Sequence, residues 1–460
     1  MQLPSILLTI SQMLQSHHAK AIVVGGSVRD HFLQHPIKDY DIEVYGVESL
    51  EQLAKLLHPY GTVNLVGKSF GVLKLTVAGE VYDFSLPRTE SKVAQGHRGF
   101  SITTDSHLSF EEASRRRDFT LNAMGYDIST GSFLDPHGGQ RDLATRTLRH
   151  IDATRFVEDP LRVYRAVQFC ARFGLTLHTQ THQLCETMVT QGLLEELPKE
   201  RIFEEFDKLL HAPTPSVGFE LLARLGILRY FPELEAIRGI PQPPRYHPEG
   251  DVWVHTMMAL DTMARLLKHR PTTPLERRIY LFTILCHDLG KAKTTTQASD
   301  GKIHAHGHAQ AGITPATALI QRLTDNQALL AGVLPLVAHH MVPSQLYTSH
   351  TPITQSIRTL ATKVTISTLL LVSRADFLGR TTPQAKQGIY PAGEWLEAEA
   401  DKLGVLHHPL PPLLQGRDLI AVGLTPSPVF KAILAQSYQY QLEGRIHTKA
   451  EALALLTRCE

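Results

Sequence analysis

Apolar residues recur at helical spacing through residues 1–18, at Ile6, Leu7, Ile10, Met13 and Leu14, and predict an opening amphipathic helix. A short β-branched run then fills residues 21–24 and ends in Gly25-Gly26, the pattern of a strand entering a tight turn. Residues 28–33 predict the first turns of a helix, 39–44 a second strand and 50–57 another helix. Residues 70–77 and 80–84 pattern as a hairpin around Ala78-Gly79. This mixture of β and α closes near residues 135–139.

From about residue 155 the alternating pattern fades, and residues 157–173, 179–191, 198–210 and 216–226 carry helical periodicity. A Pro-rich stretch at 240–245 marks a boundary, and a His-rich helical unit runs from there to about residue 380. A loop-like stretch at 407–412 precedes a last helical part, which carries Gly416-Arg-Asp-Leu419 and Pro426-Ser-Pro428. The fold class expected is α+β, with a small mixed sheet and helices first and helices alone afterwards. The expected divisions are 1–145, 146–240, 241–390 and 391–460.

Composition narrows the class. With 43% hydrophobic and 20% charged residues the chain patterns as an ordinary globular protein. Its 46 Lys and Arg against 45 Asp and Glu leave a weak overall field, so any RNA must be held by local basic patches. The 25 histidines direct attention to metal chemistry. Cys170, Cys185, Cys286 and Cys459 are scattered and form no Cys-x-x-Cys, which argues against zinc ribbons and fits a reducing compartment. The first residues lack the features of a signal peptide, and no apolar run approaches the ~20 residues that span a bilayer. A cytoplasmic location without a membrane partner is expected.

Asp39 and Asp41 stand two apart around Tyr40, so on a strand their carboxylates share one face. Two hard oxygen donors on one face suit Mg²⁺, whose remaining shell is water and substrate phosphate. Upstream, Gly25-Gly26-Ser27-Val28-Arg29-Asp30 allows close backbone approach and offers helix N–H groups to a phosphate. A bare Asp-x-Asp is commonly a solvated edge. A strand, Gly-Gly turn, helix and Asp-x-Asp in succession is a stronger signal.

GGSVRD followed by KDYDIEVYG resembles the nucleotidyltransferase signature of bacterial class II CCA-adding enzymes and poly(A) polymerases. The resemblance runs over residues 20–240. It implies that Asp39 and Asp41 hold the metals of a two-metal in-line displacement, while Gly26 and Arg29 contact the nucleotide. Asp83 is a candidate third carboxylate. Arg115–Ala123 resembles the family's RRDFTxNA motif, which implies a triphosphate and sugar role for Arg117, Asp118 and Asn122. Glu158-Asp159-Pro160-Leu161-Arg162, continuing to Arg165, resembles its EDxxR protein template. Asp159, Arg162 and Arg165 then fall near one helix face, where an Asp acceptor and an Arg donor can mimic the edge of a base. Arg88-Thr-Glu90 and Gly96–Phe100 form a polar loop that resembles one that helps switch from C to A addition, and Arg201 and Glu205 are expected to brace the template helix.

His255, His287-Asp288 and Asp376 follow the H…HD…D order of the HD phosphohydrolase superfamily. Imidazole with carboxylate suits a transition metal such as Ni²⁺, Mn²⁺ or Co²⁺. His304, His306, His308, His339 and His340 are all possible contacts for a second metal or a phosphate, with His306 and His339 singled out. The resemblance implies template-independent addition of CCA to the 3′ end of tRNA from CTP and ATP, with phosphatase and 2′,3′-cyclic phosphodiesterase activity in the HD unit. Two alternatives stay open: a poly(A) polymerase or A-adding enzyme, and an HD phosphohydrolase whose N-terminal half binds RNA. Monomer and homodimer are both compatible with the sequence.

Overall fold

The computed structural model describes all residues except 67–70, 93–99, 350–352 and 457–460. The loop expected at 96–100 and Cys459 therefore fall largely or wholly outside the described residues. The chain forms two compact units, Met1–Ile227 and Leu228–Glu460.

The first unit opens with α1 (Ser5–Ser16), β1 (Lys20–Val24), α2 (Gly26–Phe32), β2 (Tyr40–Tyr45) and α3 (Leu50–Leu57). There follow β3 (Thr62–Val66), β4 (Val72–Val77), β5 (Glu80–Ser85), β6 (Arg88–Lys92), β7 (Phe100–Thr104), α4 (Phe110–Ser114), β8 (Gly125–Asp127) and β9 (Ser132–Leu134). A seven-stranded sheet has the order β3-β4-β5-β2-β1-β8-β9, mixed because β2 and β5 run parallel while the other neighbours are antiparallel. Its alternation sorts the chemistry. Ile42, Val44 and Phe84 are buried on one face, whereas Asp41, Glu43 and Tyr45 turn to the other.

Helices take over after α5 (Gly139–Ala144). The single helix expected over 157–173 is two, α6 (Ala153–Val157) and α7 (Leu161–Phe173). The Asp152 side chain caps α6 by accepting from Thr154 and Arg155 N–H, and Pro160 restarts the chain as the N-cap of α7. The break leaves Glu158 and Asp159 at a corner. α8 (Thr179–Thr190), α9 (Lys199–Leu210) and α10 (Pro215–Arg224) complete the unit, with α9 and α10 packed on α7.

The second unit is built from helices with one two-stranded ribbon among its described residues. Helices Val252–Leu266, Pro274–Cys286, Gln327–His339 and Ile366–Leu378 pack together around a core that includes Phe282, Leu285, Val333 and Val372. One stretch of 22 residues, Gln327–Thr348, is long and apolar enough to cross a bilayer, which corrects the expectation that none approached that length. Gln327, Pro335 and His339 interrupt its apolar run without making it polar on average. Its Leu329, Val333, Leu336 and Val337 are buried against neighbouring helices, as in a core helix.

Gly290 shows how tightly this unit closes. A Cβ there would stand 2.0 Å from the His308 carbonyl oxygen and 2.6 Å from the Gly312 nitrogen. Both are backbone atoms and neither can swing aside. Gly290→Ala is expected to cost about 1–3 kcal/mol of stability by overpacking, measured by urea denaturation; an unchanged midpoint would refute this close packing.

Candidate functional site

In the first unit, register brings the carboxylates together. Val24, the last residue of β1, pairs with Asp41, and Asp41 pairs in turn with Asp83 on β5. Asp39 lies just before β2 and adds its charge beside Asp41. Loss of surrounding water raises the Asp41 carboxyl pKa; Arg117 opposes the shift, and Asp83, Asp39 and Glu43 add to it. Asp83 Oδ1 is buried with no hydrogen-bond donor and faces Lys74 Nζ at 3.5 Å. Crowded acceptors of one sign, one of them unsatisfied, fit a divalent cation.

The turn between β1 and α2 places cations opposite these acids. Gly25 has φ +73°, and a Cβ on it would meet Arg117 Nη1 at 2.8 Å. Arg117 is fixed from behind. Glu43, 1% exposed, accepts from Arg116 Nη2 at 2.6 Å, Arg117 Nη2 at 3.1 Å and the Tyr45 hydroxyl at 3.0 Å. Burial pushes the Glu43 carboxyl up, but Arg117 and Arg116 outweigh it and hold the pKa below its ordinary value. The sequence reading missed Glu43, although it continues the same two-residue spacing as Asp39 and Asp41.

A second chain of contacts runs from α2 to the helical body. Arg29 Nη1 donates to Asn122 Oδ1 at 2.8 Å, and Asn122 Nδ2 donates to Asp118 Oδ1 at 2.9 Å. Asp118 Oδ2 accepts from Arg165 Nε at 2.7 Å. Burial opposes the ionised form of Asp118, yet Arg165 and the Asn122 bond keep its pKa low. Asp118 and Asn122 are both buried, and their contacts here are with protein.

At the α6–α7 corner Asp159 receives two bonds from Arg201, at 3.3 Å to Oδ1 and 3.1 Å to Oδ2. Arg162 donates to the carbonyls of Arg155 and Arg116, at 2.9 and 2.8 Å. A cleft of about 400 Å³ is lined by Gly25, Gly26, Arg29, Asp41, Arg88, Arg116, Arg117, Asp118, Asn122, Asp159, Leu161, Arg162, Arg165 and Arg201. Every nucleotide-binding candidate from the sequence thus falls on one cleft, together with Arg88, Arg116 and Arg201.

In the second unit His255, His287, Asp288 and Asp376 also converge, all buried. His255 Nε2 lies 3.0 Å from Asp376 Oδ1 and 3.9 Å from Asp288 Oδ2, and His287 Nε2 lies 3.2 Å from Asp288 Oδ2. Glu249 Oε1 is 2.9 Å from the Nδ1 atoms of both His255 and His247, and Glu249 Oε2 accepts from Thr381 N–H at 3.0 Å. Burial alone would lift the Glu249 carboxyl; its bonds to His247 and His255 outweigh that and hold it far below. Lys291 Nζ donates to Asp288 Oδ2 at 2.6 Å, and Arg380 reaches Asp376 at 3.1 Å. His306 and His339 lie outside this cluster: the His306 ring stacks on His304, and His339 Nδ1 binds the Pro335 carbonyl. His308 and His340 are the histidines that join it. Each follows the sequence candidate by one turn step or less, and spacing alone did not separate them.

The Poly A polymerase head domain family matches residues 21–149, and the family described as the probable RNA and SrmB-binding site of polymerase A matches 174–238. The Multifunctional CCA protein of Xanthomonas euvesicatoria is 35% identical over 423 residues, covering 90% of this chain and 96% of that protein. The Multifunctional CCA protein of Nitrosococcus oceani is 37% identical over 324 residues, 70% of this chain and 75% of its own length. The fold matches the crystal structure of the Bacillus stearothermophilus CCA-adding enzyme in complex with CTP, with TM-score 0.64 at 23% identity over 100% of this chain and 98% of that one. It also matches the Thermotoga maritima CCA-adding enzyme complexed with tRNA, with TM-score 0.61 at 19% identity over 100% and 97%.

Glu43→Gln leaves two buried guanidiniums facing a neutral amide, and its expected cost is about 3 kcal/mol or more at neutral pH. The folded pKa is depressed, so the carboxylate's contribution is complete above the ordinary value of 4.5 and is lost as pH falls below it. Melting temperatures of wild type and variant should therefore converge in acid. A constant gap from pH 7 to pH 3 would show that the charge of Glu43 is not what stabilises the site.

Proposed function

The chain belongs to the bacterial CCA-adding tRNA nucleotidyltransferases, and from that premise we propose how its residues carry the reaction. It is an enzyme that adds CCA to tRNA from CTP and ATP. The nucleotidyltransferase site uses a divalent metal, Mg²⁺ in our reading, held by Asp39 and Asp41 with Asp83 beside them. When bound, the ion activates the tRNA 3′-hydroxyl and neutralises charge on the triphosphate.

The protein supplies the rest. The Gly25-Gly26 turn lets backbone approach the phosphates, and Arg117 and Arg29 offer charge-assisted donors there. Asp159, fixed by Arg201, is an acceptor for an exocyclic amino group, and Arg162 is a donor for the adjacent ring nitrogen. Cytosine and adenine both present amino donor beside ring acceptor, whereas guanine and uracil present the reverse. One acceptor–donor pair thus selects C and A without a nucleic-acid template. Asp118, Asn122 and Arg165 are bonded in a chain along the wall of the same cleft. The observation that carries the reading is that Asp41, Arg117, Asp159 and Arg162 line a single cleft. In this reading residues 1–145 form the head, 146–240 the neck and body, 241–390 the HD domain and 391–460 the tail, and the enzyme works in the cytoplasm.

For the HD site our reading is metal-dependent phosphohydrolysis, as a phosphatase and 2′,3′-cyclic phosphodiesterase. His255, His287, Asp288 and Asp376 would hold Ni²⁺, Mn²⁺ or Co²⁺, which lowers the pKa of a bound water. The buried convergence of all four side chains supports it, with Lys291 and Arg380 paired to Asp288 and Asp376 beside them.

The deciding assay offers tRNA lacking its CCA end to the enzyme with labelled CTP and ATP, separately and together. Addition of C, C and then A is expected; A alone, or long A tails, would favour the A-adding or poly(A) alternative. Asp41→Ala should lower incorporation by several orders of magnitude while tRNA binding stays within a few fold, and substantial turnover would refute the metal role. His287→Ala should abolish hydrolysis of a 2′,3′-cyclic nucleotide in the presence of Ni²⁺; retained hydrolysis would place that activity elsewhere.

A further inference from the structure

Three guanidiniums gather around two phenylalanine rings of α7. Phe169 and Phe173 stack with centroids 5.6 Å apart, 18° from parallel. The Arg29 guanidinium lies 4.7 Å from the Phe173 centroid and 5.5 Å from that of Phe169. Arg165 lies 5.3 Å from Phe169, and Arg172 lies 5.0 Å from Phe173. Two of these cations are matched to acids. Arg29 holds Asp30 through Nε at 2.9 Å and Nη2 at 2.7 Å, and Arg165 holds Asp118 at 2.7 Å.

Arg172 is not matched. Its Nη1 donates at 3.1 Å to Oε1 of Gln168, a neutral side chain 1% exposed, and among the described residues Arg172 forms no ion pair. The nearest acids are engaged elsewhere, Asp30 by Arg29 and Glu205 by Lys208 at 2.8 Å. Loss of surrounding water, and next the Arg29 charge, pull the Arg172 pKa below its ordinary value; Asp30 and Glu205 do not offset them. A half-buried cation without a counter-charge is costly unless a partner brings one.

Two observations identify the anion. Arg29 and Arg165 line the nucleotide cleft but Arg172 does not, so the triphosphate is not its partner. The Phe173 ring also meets His35, at 5.9 Å. His35 lies on the segment between α2 and β2, four residues before Asp39. Their Cα atoms are therefore at most about 14 Å apart. An RNA whose 3′-hydroxyl reaches Asp39 and Asp41 has its last phosphates in that range.

We propose that Arg172 binds a backbone phosphate near the 3′ end of the tRNA, held ready for it by Phe173 and Gln168. This rests on the CCA-adding reading of the head and adds to it an RNA contact outside the nucleotide cleft.

The salt dependence of binding tests it. Full-length wild type and Arg172→Gln are titrated with tRNA lacking its CCA end over a series of KCl concentrations. Loss of one phosphate contact should lower the slope of log affinity against log salt by about 0.7–0.9 and weaken binding about tenfold. Arg172→Lys should keep the slope, and the KM for CTP should stay within about twofold in both variants. A merely structural role would lower the melting temperature and leave the slope alone. A second arm needs no variant: neutral methylphosphonate linkages are placed one at a time among the last phosphates of the tRNA. One position should reproduce the loss with wild type and cost nothing further with Arg172→Gln. An unchanged slope in Arg172→Gln overturns the proposal, as does a raised KM for CTP at unchanged slope. So does a linkage series in which no position weakens wild type, even if Arg172→Gln misfolds. Wild type that extends the tRNA keeps the CCA reading in each of these cases; wild type that does not extend it overturns both.

Discussion

Glu43 is the constraint on which the first site depends. A carboxylate 1% exposed is costly unless paired, and here two guanidiniums share it. Because Glu43 lies on the same strand as Asp41, its pairs tie Arg116 and Arg117 to the strand that carries the acids. Arg116 passes the constraint on through its carbonyl, which accepts from Arg162. Asp41's strand, Arg117 and Arg162 are thus linked through Glu43 and Arg116. Surface ion pairs, worth about 0–1 kcal/mol, could not hold such a geometry.

The path through Arg29, Asn122, Asp118 and Arg165 closes the other side of the cleft with the same logic. Each buried polar group in it is satisfied by the next, so the path resists deformation as a unit. Asp159 is held by a third route, its bidentate pair with Arg201 on α9. Selecting two bases and rejecting two requires an acceptor and donor at a fixed separation. On the proposed reading, rigidity in the supporting shell bears directly on specificity.

Much of this was legible in the sequence. Strand periodicity drew attention to Asp39 and Asp41, and the structure puts Asp41 on β2 with Asp39 just before it; the glycines marked the turn, and resemblance to a family marked Arg117, Asp159 and Arg162, which share its cleft. The α+β order followed from the loss of alternation after the head. What sequence did not reveal were residues whose role exists only through register or packing. Glu43 looks like any strand acid until it is buried against Arg116 and Arg117, and Arg88, expected in a polar loop, instead opens β6, paired with β7. The α6–α7 break at Pro160 was absorbed into one helical period. His308 and His340 stood among five possible histidines but were ranked behind His306 and His339, because neighbours on a helix end face different directions and hydropathy does not record direction.

The second unit answers a harder version of the problem of the first. There, Glu43 and Asp118 are neutralised by arginines that the chain itself provides. In the histidine cluster of that unit Lys291 and Arg380 each touch one carboxylate, yet four imidazoles and two carboxylates remain crowded together. Arginine could not fill that space, since its planar fork needs acceptors spread around it, not converging on a point. Convergent nitrogen and oxygen lone pairs around a small volume are the demand that a compact multivalent cation meets. The same chain thus uses guanidinium where charge must be shared along a strand, and reserves buried histidine where it must be gathered to a point.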